Sequence, residues 1–234
     1  MNAQLALGLR LKDSASFENF LPAENAEAVE CLKQSLNALA AHSASERMIY
    51  LWGAGHCGRT HLLQAVCRRA QESGLTVSYA PLREMLPLTP LLLDGLETTA
   101  LVCIDDLQVI AGMRPWEEAV FTLAERLRAR HGLLIVAADA PPTQLKLSLP
   151  DLMTRLAWGL VYPLEPLTDD EKLAALRLRA QRLGFELPLG VARYVLSRYP
   201  RDMTSLFEWL ERVDRQALAA QRRITIPFLR SLEG

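Results

Sequence analysis

From Gly53 to Thr60 the chain reads Gly-Ala-Gly-His-Cys-Gly-Arg-Thr, with Gly53 and Gly58 five positions apart and a cation and a hydroxyl directly after them. That spacing suits a loop wrapped around a phosphate. Glycine lets backbone N–H groups converge on the oxygens, a following helix N-terminus adds its dipole, and Thr60 offers a hydroxyl to Mg²⁺. Nucleotide chemistry also requires an acid at the end of a neighbouring buried strand, and "ALVCIDDLQVI" at 100–110 supplies two. Asp105 is the candidate metal organiser beside Thr60, and Asp106 stands where a water-polarising acid belongs. Each feature has a plainer explanation when taken singly: glycines occur in ordinary strand-to-helix turns, and acids often end a strand. Together and in chain order, they point to a P-loop site with Gly53, Gly58, Arg59 and Thr60 on the phosphate side.

Arg59 occupies the place where such loops carry lysine. Lysine is a compact point charge, whereas arginine is a planar fork, so the charge is kept and the geometry is not. A poorly seated contact to the outer phosphate harms its positioning more than it harms binding of the inner phosphates. The expectation is nucleotide binding with little intrinsic hydrolysis. Asp106, one methylene shorter than glutamate, points the same way.

These residues need strands to hold them. Short apolar runs at 48–52, 76–80, 100–105, 133–138 and 160–164 alternate with helical patterns at 25–41, 60–73, 115–130 and 149–155. This predicts an α/β domain built on a five-stranded parallel sheet. After Asp169 the strand signals stop, and helical patterns follow at 169–182, 188–197 and 201–222, separated by Gly184 and Pro200. A small all-helical lid domain is expected there, opened by Thr168 as cap with Glu171 three residues on. The predicted organisation is an N-terminal peptide at 1–15, a nucleotide-binding α/β domain at 16–166 and the lid at 167–234.

The P-loop, "CIDDLQVIAG", "LIVAADAPPTQL", "LPDLMTRLAWG", "YPLEPLTDDEKL" and "RDMTSLFEWLERVD" occur in an order that resembles the DnaA-related branch of the AAA+ superfamily. Within that branch the chain is similar to the short homologues that inactivate the replication initiator. The resemblance runs from about Phe17 to the C-terminus. It implies an AAA+ module and assigns roles where residues match. Asp139 falls at sensor 1, Arg155 at the arginine finger that enters a neighbour's nucleotide site, and Arg201 at sensor 2. Phe17 and Phe20 resemble the segment that packs near adenine. It also implies ADP as the favoured ligand, with ATP as the alternative, together with Mg²⁺ and self-association. DnaA is the implied partner, and hydrolysis of its bound ATP is the implied regulated step.

Near the start, "QLALGL" resembles the short peptide by which proteins bind the sliding clamp, the beta subunit of DNA polymerase III. Gln4, Leu5, Leu7 and Leu9 are the candidate contacts, and Gly8 departs from the pattern. An alternating peptide in a groove is an established mode of recognition, although a flexible leucine-bearing tail reads similarly.

Composition narrows the function classes. The balance of 26 basic and 27 acidic residues gives a net charge of -1, so no overall positive field holds nucleic acid, and DNA is expected to be met through the clamp. The N-terminus has neither a basic leader nor a membrane-spanning apolar run, so a cytoplasmic protein is expected. The 234 residues suit an AAA+ module with its lid, so an origin-binding initiator with a helix-turn-helix domain is not expected. Cys31, Cys57, Cys67 and Cys103 form no metal-binding spacing, and the four histidines form no catalytic set. The four tryptophans are expected to be packing residues. Three readings remain open: a clamp-dependent regulator of DnaA-bound ATP, an autonomous AAA+ ATPase of the helicase-loader or clamp-loader type, and a DnaA-binding adaptor indifferent to nucleotide.

Overall fold

Leu133–Ala138 is six consecutive apolar residues, all buried, and it forms the middle strand β4 of a parallel sheet. A strand covered on both faces reads as a continuous apolar run rather than an alternating one. The computed structural model describes residues 15–43, 45–220 and 224–233. Gln4, Leu5, Leu7 and Leu9 lie outside the described residues.

The sheet comprises β1 (Met48–Trp52), β2 (Val77–Pro81), β3 (Leu101–Asp105), β4 and β5 (Leu160–Pro163), in the order β2-β3-β4-β1-β5. The pleat sends alternate residues to opposite faces. Met48, Tyr50, Val102, Ile104, Leu134 and Val136 enter the core under helices α4 (Arg114–Ala129) and α5 (Pro150–Trp158). Ile49, Leu51, Leu101, Cys103, Leu133 and Ile135 enter the core under α1 (Ala26–Ala40) and α2 (Arg59–Glu72). The parallel registers pair Trp52 with Ala138, Ile104 with Val136 and Pro81 with Asp105. Consequently Gly53, Asp105 and Asp139 all emerge at the carboxyl end of the sheet.

Local chemistry sets the element ends. Pro81 closes β2 on the outer edge of the sheet, where a missing N–H costs no ladder bond. It leads into the short helix α3 (Leu82–Met85). Helix α5 starts at Pro150, which suits a first helical turn, and continues past Arg155 to Trp158. Trp158 departs from the expectation of a packing residue: it is 69 % exposed, whereas Trp116 and Trp209 are buried. Cys57, Cys67 and Cys103 are buried free thiols.

The chain divides into two compact units between Pro166 and Leu167. The second unit is helical: α6 (Asp169–Arg182), α7 (Leu189–Arg198), α8 (Met203–Ala220) and α9 (Ile226–Glu233). Thr168 caps α6 in a capping box with Glu171, whose carboxyl is held below the usual range by the Thr168 N–H and hydroxyl. Leu176, Val195, Leu206, Trp209, Leu210 and Leu229 fill its core. The sequence pattern predicted three helices here and missed α9. Pro227 falls in the first turn of α9, where proline is tolerated. Among the described residues, no helix is long and apolar enough to cross a membrane.

One buried charge ties α4 to the segment that enters α5. Glu117 is 0 % exposed and accepts hydrogen bonds from the N–H groups of Gly112 (2.7 Å), Ser148 (3.0 Å) and Leu149 (2.7 Å). Glu117→Ala is expected to break these bonds and to lower unfolding free energy by about 1.5–3 kcal/mol, the scale of hydrogen bonds to a charged group, since Gly112 and Ser148 are exposed and water can take up their N–H groups. Urea denaturation checks this, and an unchanged midpoint would contradict the anchoring role.

Candidate functional site

The loop between β1 and α2 is shaped by its glycines. A Cβ on Gly53 would overlap the carbonyl oxygen of Leu164, and Gly58 has φ +96°, a conformation side chains rarely adopt. Phe20 lies against Gly58, and its ring sits 5.7 Å from that of His61, which in turn contacts the Ser16 carbonyl at 2.9 Å. Phe17 lies in the adjoining turn, with the Lys33 ammonium 5.6 Å from its ring centre. The aromatic pair therefore belongs to the wall beside the loop and the first turn of α2.

Thr60 donates its hydroxyl proton to Asp105 Oδ2 at 2.7 Å, joining the start of α2 to the end of β3. Tyr79 on β2 donates to the same oxygen at 2.9 Å, and the Asp106 N–H donates to Asp105 Oδ1 at 2.9 Å. Asp105 is 3 % exposed, and burial raises its carboxyl above the usual range despite the hydrogen bonds from Thr60 and Tyr79 that favour the charged form. Tyr79 titrates above its ordinary value because it is buried and lies beside Asp105. Two oxygen donors at the mouth of a glycine loop match the preference of Mg²⁺ for carboxylate and hydroxyl oxygen, so Thr60 and Asp105 fit that ion.

Two other groups are engaged within the protein. Arg59 does not project freely from the loop: its Nη1 donates to the Gly53 carbonyl at 2.7 Å, closing the loop on itself. Asp106, at φ +57°, accepts from Arg83 Nε at 2.9 Å and Gln108 Nε2 at 2.7 Å. Both of its oxygens are thus occupied by donors from its own chain. Asp139 is exposed just beyond β4. Tyr50 below it donates to the Ala140 carbonyl at 2.8 Å, and its hydroxyl titrates above its usual value, first through burial and then through the Asp139 charge.

Arg155, on the last turn of α5, is not brought to the loop. Its Nη2 contacts Glu125 Oε1 on α4 at 2.5 Å, and its guanidinium lies 4.8 Å from the Trp158 ring centre. In the second unit Arg201 pairs with Asp169 at 3.0 Å, and both groups are largely exposed. Tyr79, Arg83, Gln108 and Glu125 carried no sequence signal. Their roles depend on β2 lying beside β3 and on α4 packing against α5, and no local pattern states either adjacency.

A P-loop after β1, acids at the end of β3, the strand order β2-β3-β4-β1-β5 and a helical second unit define an AAA+ module. Residues 169–232 match the family model for the lid domain of Hda. The fold is similar to domain III of the replication initiation protein DnaA from Thermotoga maritima (TM-score 0.76, 21 % identity, 93 % of this chain and 95 % of that one). It is also similar to AMPPCP-bound DnaA from Aquifex aeolicus (0.68, 24 %, 89 % and 71 %). The RuvB Holliday junction branch migration motor of Thermotoga maritima is similar at 17 % identity (0.67, 96 % and 73 %). The chain thus has the AAA+ fold of DnaA domain III, and its second unit matches the lid domain of Hda.

The buried carboxylate makes the site sensitive to pH. A carboxyl raised in the folded state contributes stability that is complete below its unfolded value, about pH 4, and is lost as pH rises through the folded value. Asp105→Asn removes this loss, because the Thr60 and Tyr79 hydroxyls can turn to accept from the amide. In EDTA, the variant is expected to match wild type near pH 4 and to gain relative stability as pH rises towards neutrality. Parallel urea midpoints across that window would contradict the assignment.

Proposed function

We propose that this chain is a regulator of replication initiation that binds ADP and Mg²⁺ at its own P-loop and stimulates hydrolysis of ATP held by DnaA. The observation that carries the reading is the engagement of Arg59 and Asp106 within the chain. Hydrolysis of an outer phosphate needs a cation on that phosphate and an acid free to orient water. Here the cation closes the loop on Gly53, and the acid is held by Arg83 and Gln108.

In this reading Gly53, Gly58 and Arg59 form the phosphate loop, Thr60 and Asp105 hold Mg²⁺, and Phe17 and Phe20 flank the base. Asp139 acts as a sensor on the phosphate side, and Arg201 is the candidate for the second sensor. Mg²⁺ supplies charge neutralisation on the phosphate oxygens. A diphosphate leaves the outer-phosphate position empty, which is compatible with a closed Arg59, and ATP is the alternative ligand. The nucleotide shapes the surface offered to the partner rather than serving as substrate.

Arg155 is the group that acts in trans. A guanidinium brought to a phosphoryl group in transfer stabilises its developing charge, which in GTPases is worth about 10³–10⁵ in rate. Gln4, Leu5, Leu7 and Leu9 tether the protein to the DNA-loaded sliding clamp, so that DNA is met indirectly, and self-association is part of the same reading.

Single-turnover hydrolysis of ATP preloaded on DnaA, with DNA-loaded clamp and ADP present, tests the proposal. Wild type is expected to accelerate hydrolysis, Arg155→Ala to lose about 10³-fold of the rate, and Gln4→Ala/Leu5→Ala to lose stimulation only when it depends on the clamp. An Arg155→Ala protein as active as wild type would remove the arginine from the mechanism.

A further inference from the structure

We infer that Glu125 and Trp158 hold Arg155 in a retracted position from which it must be released to act. The inference rests on the proposed role of Arg155 in trans and concerns the regulation of that same group. The Arg155 side chain is 17 % exposed, enclosed between the Glu125 carboxylate on α4 and the Trp158 ring one turn further along α5. A guanidinium covered in this way cannot enter a second protein's phosphate site without turning outward.

The contact with Glu125 runs through Nη2. Arg155 Nε and Glu125 Oε1 are both buried, yet neither has an aligned hydrogen-bond partner among the described residues. The contact is an ion pair without the directional bonds that make arginine–carboxylate forks strong. Release also leaves Glu125 compensated, because its other oxygen already lies 3.3 Å from Arg128 Nη2. A terminal phosphate carries more charge and more acceptor oxygens than one shared carboxylate, so it outcompetes Glu125 for the fork once a partner presents it. Glu125 is accordingly a restraining residue that acts through Arg155. It keeps the finger covered until a phosphate-bearing partner is in place.

The test uses Glu125→Gln in the full chain, an isosteric change at a position where both residues suit a helix. Solvent exchange of the Arg155 Nε–H, followed by ¹⁵N NMR and assigned with Arg155→Lys, reads the restraint without any partner. Exchange is expected to quicken about two- to fivefold, the scale of one partly exposed ion pair. Stimulated hydrolysis of DnaA-bound ATP at sub-saturating protein is expected to rise by the same factor. Unchanged exchange would overturn the restraint whatever the hydrolysis shows. Faster exchange with weaker stimulation would overturn it in favour of Glu125 aiming the finger. If wild type gives no stimulation while Arg155 is still freed in the variant, the role in trans fails and the restraint stands.

Discussion

The carboxylate of Asp105 is the point on which the site is built. It sits nearly dry at the end of β3, and what makes a charge-bearing group tolerable there is a set of donors from three directions. Thr60 reaches it from α2, Tyr79 from β2, and the next backbone N–H from the turn after β3. Meeting these bonds together requires β2 beside β3 and the start of α2 above β3. The strand order that satisfies the two apolar faces satisfies this group as well.

Around that fixed point the neighbouring charged groups are turned inward. Arg59 bonds the carbonyl at the start of its own loop, and Asp106 is held by an arginine and an amide. An ATPase working on its own substrate needs both groups to face outward. In the proposed reading this protein's loop is a holder of nucleotide, and the chemistry is exported through Arg155, itself covered by Glu125 and Trp158. α4 sets the pose of that finger at both ends, since Glu117 fixes the entry to α5 and Glu125 meets its last turn.

Much of the fold was legible because its signals are local. Continuous apolar runs gave the buried parallel strands, and Thr168 with Glu171 announced the start of α6 through side-chain capping. Thr60 and Asp105 could be paired from spacing alone, since a strand-loop-helix and a neighbouring acidic strand leave few places for either. Tyr79, Arg83 and Glu125 were not legible, because their partners lie on adjacent strands or helices whose packing no short pattern encodes. Trp158 read as a core residue by type, yet the last turn of α5 faces outward beside the exposed edge strand β5. Helix α9 was missed because its eight residues are too few for a periodic pattern to stand out.

The central claim concerns whose nucleotide is consumed, and moving a radiolabel between the two proteins addresses it most directly. ATP labelled on the γ-phosphate would be loaded first on DnaA and then, in a separate reaction, on this chain, with the other protein carrying unlabelled nucleotide. The account predicts rapid loss of label from DnaA in the presence of clamp on DNA, and retention of label on this chain under the same conditions. Rapid loss of label from this chain, with DnaA-bound label unaffected, would contradict it and make the P-loop the working site of an independent ATPase.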